Sequence, residues 1–369
     1  MTEVEPAGPG PRLAVKDLFD TAGLRTTYGS AIFADHVPAE TAEAVRLLEE
    51  AGYVNVGKAN LHEFAYGVTS ENPHYGAVPN PRARGRTAGG SSGGSAAALA
   101  AGLADAALGS DSAGSIRIPA ACCGIVGFKP TYGLVPIDGC FPLTPSFDHA
   151  GPMASNVGGC IRMMEVLVPA FDSIEAELAD LRIGVAWLDE AEPLVRTRVE
   201  EAAARFSSPR ALPLPVPDRE DWGAVFRREA LESHASLFPE RAEDYGDDVR
   251  SSLEGALELT DSEVDAARRF REGVREELNE VFGELDLLLA PTLPIVAPPY
   301  GEGTRTVLTR LTALFNLTGW PALALPCGPA EDGLPASVQI AAPPGRDALV
   351  LAAAAALEGA LSGQPHPNE

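Results

Sequence analysis

The chain is predicted to form one α/β layered domain, and three features of its 369 residues carry that prediction. Short apolar, β-branched runs gather towards both ends of the chain. A stretch rich in Glu and Arg at helical spacing lies between them, over about 175–285. Two Gly/Ser segments, GGSSGGSA (89–96) and GSDSAGSIRIPA (109–120), are each flanked tightly by apolar helix or strand, unlike flexible linkers. Strands at both ends with helices between imply a sheet completed late in the sequence. We expect a single domain over 1–369, with tails at 1–13 and 362–369 and a variable, mostly helical insert at 160–285.

Taken in order, TAEAVRLLEEA (41–51) has the spacing of an amphipathic helix, and Gly52 is placed to end it. YVNVG (53–57) then reads as a short strand that delivers Lys58 at its far end. SAAALAAGLA (95–104) is a small-residue helix suited to close packing. DAALG (105–109) is a buried strand, and SIRIPAACCG begins a helix at Ser115. PLVRTRVEEAAARF and DSEVDAARRFREGVREELNEVFGEL are solvated helices with one apolar face, joined through a Pro-rich link at 208–218. DLLLAPTLPI (286–295), PALALPCG (321–328) and SVQIAAPPG (337–345) return to strand character. DALVLAAAAALEGAL (347–361) is a closing helix, and QPHPNE is read as a disordered tail.

Bulk composition excludes some functions. A net charge of −24 repels phosphate surfaces, which argues against nucleic-acid or anionic-membrane binding. No run approaches the ~20 apolar residues of a membrane span. The opening MTEVEPAGPGPR lacks the basic-then-apolar layout of a signal peptide. Five cysteines without paired spacing read as buried, reduced thiols, so a cytoplasmic protein with no metal is expected.

Lysine is scarce: only Lys16, Lys58 and Lys129 occur among 28 Lys and Arg residues. Arginine stays charged at any working pH, whereas a desolvated lysine amine can lose its proton and act as a base. Lys58, upstream of both Gly/Ser segments, is the candidate base. Gly52–Lys58–Ala59 resembles a phosphate loop, but Ala59 has no hydroxyl for Mg²⁺ and the intervening residues look like a strand. GGSSG (89–93) matches a nucleophile elbow, yet PRARGRTA before it is a loop rather than a strand. The two segments do better together. Glycines around Ser91 and Ser92 permit unusual backbone geometry, and the amides of Ser112, Ala113, Gly114 and Ser115 are placed to form an oxyanion hole.

GKANLHEFAYGVTSENPHYG, GGSSGGSAAALAAGL, GSDSAGSIRIPAACCGIVGFKPTYG and SFDHAGPMA together resemble the amidase signature family. AVKDLFDTAGL, DLLLAPTLP, LFNLTGWPALALPCG and GLPASVQIAAPPGRD extend the resemblance nearly end to end, and only 160–285 is nonspecific. The resemblance implies a large mixed, twisted β-sheet covered by helices on both faces. It implies amide hydrolysis by a Ser–cisSer–Lys triad, with Ser115 as nucleophile, Lys58 as base, and Ser91 as the bridging serine after a cis peptide at Gly90. Ser92 and Asp111 would orient the lysine and the loop, and Arg117 would fix the catalytic loop. The substrate pocket would draw on Tyr66, Gly67, Thr69, Phe141 and Phe147. No cofactor is implied; the partner is a small-molecule amide, and a homodimer fits the family.

The family also includes glutaminase subunits of tRNA-dependent amidotransferases, and acyl transfer to an amine is a further alternative. Those subunits hold glutamine with an acidic residue at a place occupied here by Thr309. Where many members have Gly before the Gly-Ser of this loop, this chain has Ala113, whose Cβ restricts φ.

Overall fold

The computed structural model of the chain describes residues 2–3, 8–301 and 305–363. The expected disorder of QPHPNE lies outside them. Thirteen strands are described: β1 (Thr2–Glu3), β2 (Arg12–Lys16), β3 (Val54–Ala59), β4 (Glu71–Asn72), β5 (Gly76–Ala77), β6 (Ala106–Asp111), β7 (Val126–Lys129), β8 (His149–Ala154), β9 (Ile183–Val185), β10 (Arg210–Ala211), β11 (Leu287–Pro291), β12 (Ala322–Pro329) and β13 (Pro335–Ala341). Eleven of them form one sheet in the order β1-β3-β2-β6-β8-β7-β12-β13-β11-β9-β10. The sheet is mixed: β3, β2 and β6 run parallel, β8, β7, β12 and β13 pair antiparallel, and β11, β9 and β10 run parallel again.

Helices α1 (Glu43–Glu50), α2 (Gly93–Ala100), α3 (Arg117–Cys123), α4 (Val157–Leu167), α5 (Pro193–Ala203), α6 (Arg219–Ser233), α7 (Asp247–Leu257), α8 (Asp261–Phe282), α9 (Arg305–Thr309), α10 (Leu314–Leu317) and α11 (Asp347–Ser362) cover it. Alternation along the strands divides the core. Leu13, Val15 and Leu108 pack with α1 and α4, while Leu323, Leu325, Val338 and Ile340 extend the same cluster to α5 and α11. Their neighbours Ala14, Ala107 and Ala324 face the other way, against α2 and α3. Further along that second face, Leu288, Ala290 and Ala341 meet Leu278 and Phe282 of α8. Helices on both faces are thus dictated by strands apolar on both sides.

Local chemistry sets the elements. Ala44, Val45 and Leu48 form the buried stripe of α1. A capping box between Thr260 and Glu263 starts α8, the longest helix described. The 160–285 segment is not purely helical: β9 and β10 lie within it and extend the main sheet. Its helices α6, α7 and α8 build a separate aromatic-rich cluster with Phe64 and Phe147. Among the described residues, no helix is long and apolar enough to cross a membrane.

Candidate active site

Lys16 is the last residue of β2 and Asp111 the last of β6. The two strands are parallel neighbours, so both residues emerge at the same carboxyl-terminal edge, where open α/β sheets place their ligand sites. The loop after β6 carries Ser112 to Ser115 into α3, and Ser91 and Ser92 lead into α2. The backbone N–H of Ser92 donates to the carbonyl of Ser115 at 3.2 Å, which ties the two Gly/Ser segments together. The Gly90–Ser91 peptide is cis.

Lys16, fully buried, donates from Nζ to Ser91 Oγ at 2.7 Å and to Ser110 Oγ at 2.8 Å. Burial lowers its pKa from the ordinary lysine range to about 7, against the opposing pull of Cys140, Asp111 and Asp148. At that value a substantial fraction of the amine is neutral near pH 7.

Lys58 does not reach the serines, which corrects the assignment of the base. Its Nζ donates to the Phe19 carbonyl, to Thr21 Oγ1 at 3.1 Å and to Thr26 Oγ1 at 3.0 Å. It also pairs with Asp17 at 3.6 Å. The reason is register. Val15 of β2 stands beside Lys58 of β3, and Lys16 beside Ala59. Neighbours across a ladder share a face and successive residues alternate, so Lys58 follows Val15 to the α1 and α4 side while Lys16 follows Ala14 to the α2 and α3 side. An irregularity between Leu13 and Ala14, where β3 passes through Gly57 at φ 142°, sets this register. Lys129, the third lysine, ends β7 and donates to the Pro130 carbonyl at 3.0 Å.

Asp111 organises the loop from Ser112 to Ser115. Its carboxylate accepts the amides of Gly114 at 2.7 Å and Ile116 at 3.1 Å, and pairs with Arg117 at 3.0 Å and Asn316 at 2.9 Å. Burial alone would raise its pKa, but Arg117, Lys129 and these donors hold it well below the usual carboxylate range. Arg117 is fully buried and also donates to Asn316 Oδ1 at 2.7 Å, Gln339 Oε1 at 2.5 Å and the Thr312 carbonyl at 2.9 Å. Ser92 Oγ donates to the Ser110 carbonyl at 3.1 Å, so it braces the residue that holds Lys16.

The expected oxyanion set changes in one member. The Gly114 amide is engaged by Asp111, while those of Ser112, Ala113 and Ser115 donate to nothing among the described residues. Ser112 Oγ donates to Asp148 at 2.5 Å, which anchors the loop's first residue. Ser115 opens on a narrow cleft whose lining includes Tyr66, Gly67, Ala113, Leu143, Trp222, Phe226, Arg219, Arg305 and Thr309. Thr69, Phe141 and Phe147 are not among the lining residues. Thr69 is held in a turn by the Glu71 amide and the Thr87 hydroxyl. Phe141 packs against Tyr28, Phe64 and His234, and Phe147 lies behind Trp222 and Phe226.

Sequence reasoning therefore missed Lys16, Ser110 and the two cleft arginines. For Lys16 a signal existed: it is one of three lysines, closes the short apolar run LAV, and lies within the AVKDLFDTAGL block.

A mixed sheet with a buried lysine beside paired Gly/Ser segments defines a class, and comparison with known proteins names it. The Amidase family model matches residues 10–208 and 218–351, and the chain belongs to that family, the amidase signature enzymes. It is 37% identical to the AtzE subunit of 1-carboxybiuret hydrolase of Pseudomonas sp. (strain ADP), over 96% of this chain and 85% of that protein. It is 35% identical to the A subunit of glutamyl-tRNA(Gln) amidotransferase of Haloarcula marismortui, over 96% and 97%. Among solved structures, the corresponding amidotransferase chain of Thermotoga maritima superposes with a TM-score of 0.82 at 33% identity, covering 96% of this chain and 85% of that one. Substrate-complexed 6-aminohexanoate cyclic dimer hydrolase gives 0.83 at 27%, covering 95% and 85%. The chain is an amide-hydrolysing enzyme.

Proposed function

We propose that the chain hydrolyses a carboxylic amide through a Ser115 acyl-enzyme, with Ser91 as proton relay and Lys16 as base. The observation that carries this reading is the 2.7 Å contact between the buried Lys16 Nζ and Ser91 Oγ. Neutral Lys16 takes the Ser91 proton, and Ser91 takes that of Ser115 as its oxygen bonds to the amide carbon. The carbonyl oxygen becomes an oxyanion facing the Ala113 and Ser115 amides. The proton returns through Ser91 to the leaving nitrogen, the C–N bond breaks, and ammonia or an amine departs. Water then attacks the ester by the same relay, releasing the carboxylic acid and restoring the Ser115 hydroxyl.

A glutaminase subunit is the less favoured alternative. Thr309 lines the cleft and donates its hydroxyl to the Arg305 carbonyl, so no carboxylate stands there. Every group in the proposed mechanism comes from one chain. The homodimer and the cytoplasmic setting stay proposals, the first of which light scattering on the purified chain decides.

Ammonia release from a panel of amides is the test, run on the wild type, Lys16→Ala and Ser115→Ala. Turnover confined to the wild type supports the reading. Near-normal turnover by Ser115→Ala would refute it.

A further inference from the structure

The cleft that Ser115 lines carries positive charge that the described residues neutralise only in part. Arg219, the first residue of α6, makes no hydrogen bond or ion pair among the described residues; its guanidinium only stacks 6.0 Å over the Trp222 ring. Arg305, 5.3 Å over the Tyr66 ring, is partly occupied, donating to Ser252 Oγ at 3.0 Å and to the Tyr66 carbonyl, with Asp248 at 4.0 Å. Tyr66 is buried at 3% exposure, and its hydroxyl has no partner among the described residues. A buried hydroxyl without a partner and a desolvated guanidinium are both costly unless a ligand completes them. The guanidinium feels the loss of solvent and the like charges of Arg305 and Arg227. On a chain of net charge −24, an uncompensated cation lining a cleft stands out.

We infer that Arg219 and the Tyr66 hydroxyl form a receptor for a carboxylate, so the amide cleaved here carries an acid group beside the scissile bond. Arg305 fixes the Tyr66 backbone and adds to the positive field. The fork of a guanidinium and one hydroxyl donor match the acceptor sites of a carboxylate. Trp222 and Phe226 line the same cleft, and their apolar surface lowers the local dielectric around that pairing. This inference rests on the amidase reading for the chemistry, but not for binding.

Two measurements test it. In the first, malonamate, succinamate and glutaramate are each compared as substrates with the matching neutral diamide. The wild type should favour at least one acid amide. Arg219→Gln should lower kcat/KM for that acid amide about 10- to 100-fold and for its diamide about threefold at most. Arg219→Lys, which keeps the charge, should retain more of the preference. Wild-type preference for the diamides, or an equal loss on both by Arg219→Gln, overturns the receptor while leaving amide hydrolysis intact. In the second, calorimetry follows the three acid amides binding to Ser115→Ala, whether or not chemistry occurs. Binding weakened about tenfold or more by added Arg219→Gln supports the receptor. No binding, or binding indifferent to Arg219, refutes it. Ammonia release from no amide at all would instead sink the amidase reading.

Discussion

Lys16 Nζ and Ser91 Oγ stand 2.7 Å apart, with the amine fully buried and Ser110 Oγ holding its other side. Burial brings the lysine pKa to about 7. A base works only when unprotonated, so kcat/KM should rise with pH through about 7 and level off above it, falling about tenfold per unit on the acid side. A flat profile between pH values of about 5 and 9 on a non-ionising substrate would contradict the assignment.

Replacing Lys16 separates charge from basicity. Lys16→Arg keeps a cation that cannot be deprotonated, and should cost about as much as Lys16→Ala, on the order of 10²- to 10⁴-fold in kcat. Steady-state ammonia release measures it, with circular dichroism confirming the fold. Near-wild-type kcat for Lys16→Arg would exclude proton removal by this amine.

Lys58 should behave differently, because it is tied to Asp17, Thr21 and Thr26 away from the serines. Lys58→Met leaves Asp17 buried without its cation, at a cost of about 3–5 kcal/mol. The thermal midpoint should drop by several degrees, while the folded fraction keeps its pH profile. Adding Asp17→Leu should recover part of the stability. A lost kcat with an unchanged midpoint would reverse the two lysine assignments.

The Asp111 carboxylate is held in its ionised form by Arg117, Asn316 and two amides. A depressed folded-state pKa contributes stability that is present above the unfolded value, about 4, and lost as pH falls below it. Denaturant midpoints of the wild type should therefore fall steeply below a pH of about 4, and those of Asp111→Asn less steeply from a lower start. Equal slopes would remove Asp111 from this role.

Gly114 adopts φ 130°, and a Cβ there would collide with the Thr312 side chain. Gly114→Ala should shift the nucleophile loop and lower kcat more than it raises KM, with a stability cost of about 1–3 kcal/mol. An unchanged kcat would show that the loop's backbone is not poised for the oxyanion.

Most of this architecture was readable from the residues alone. The runs that became β11 and β12 are apolar on both faces, so local composition sufficed. That the two Gly/Ser segments belong together was legible because apolar elements flank each of them tightly, and the Ser92 amide does bond the Ser115 carbonyl. The choice between Lys16 and Lys58 was not, because it turns on a one-residue offset between two strands, set by an irregularity that local sequence does not encode. β9 and β10 have three and two residues and exist only through their partners. Arg219 escaped notice for another reason: among many arginines on solvated helices, nothing in the sequence tells which ones turn inward.

Arg117 binds Gln339 of β13 and Asn316 of α10, so the loop carrying Ser115 is clamped by the far end of the polypeptide. A nascent chain will have both serines and the lysine long before that clamp exists. The clamp on this loop therefore closes only once β13 has been synthesised.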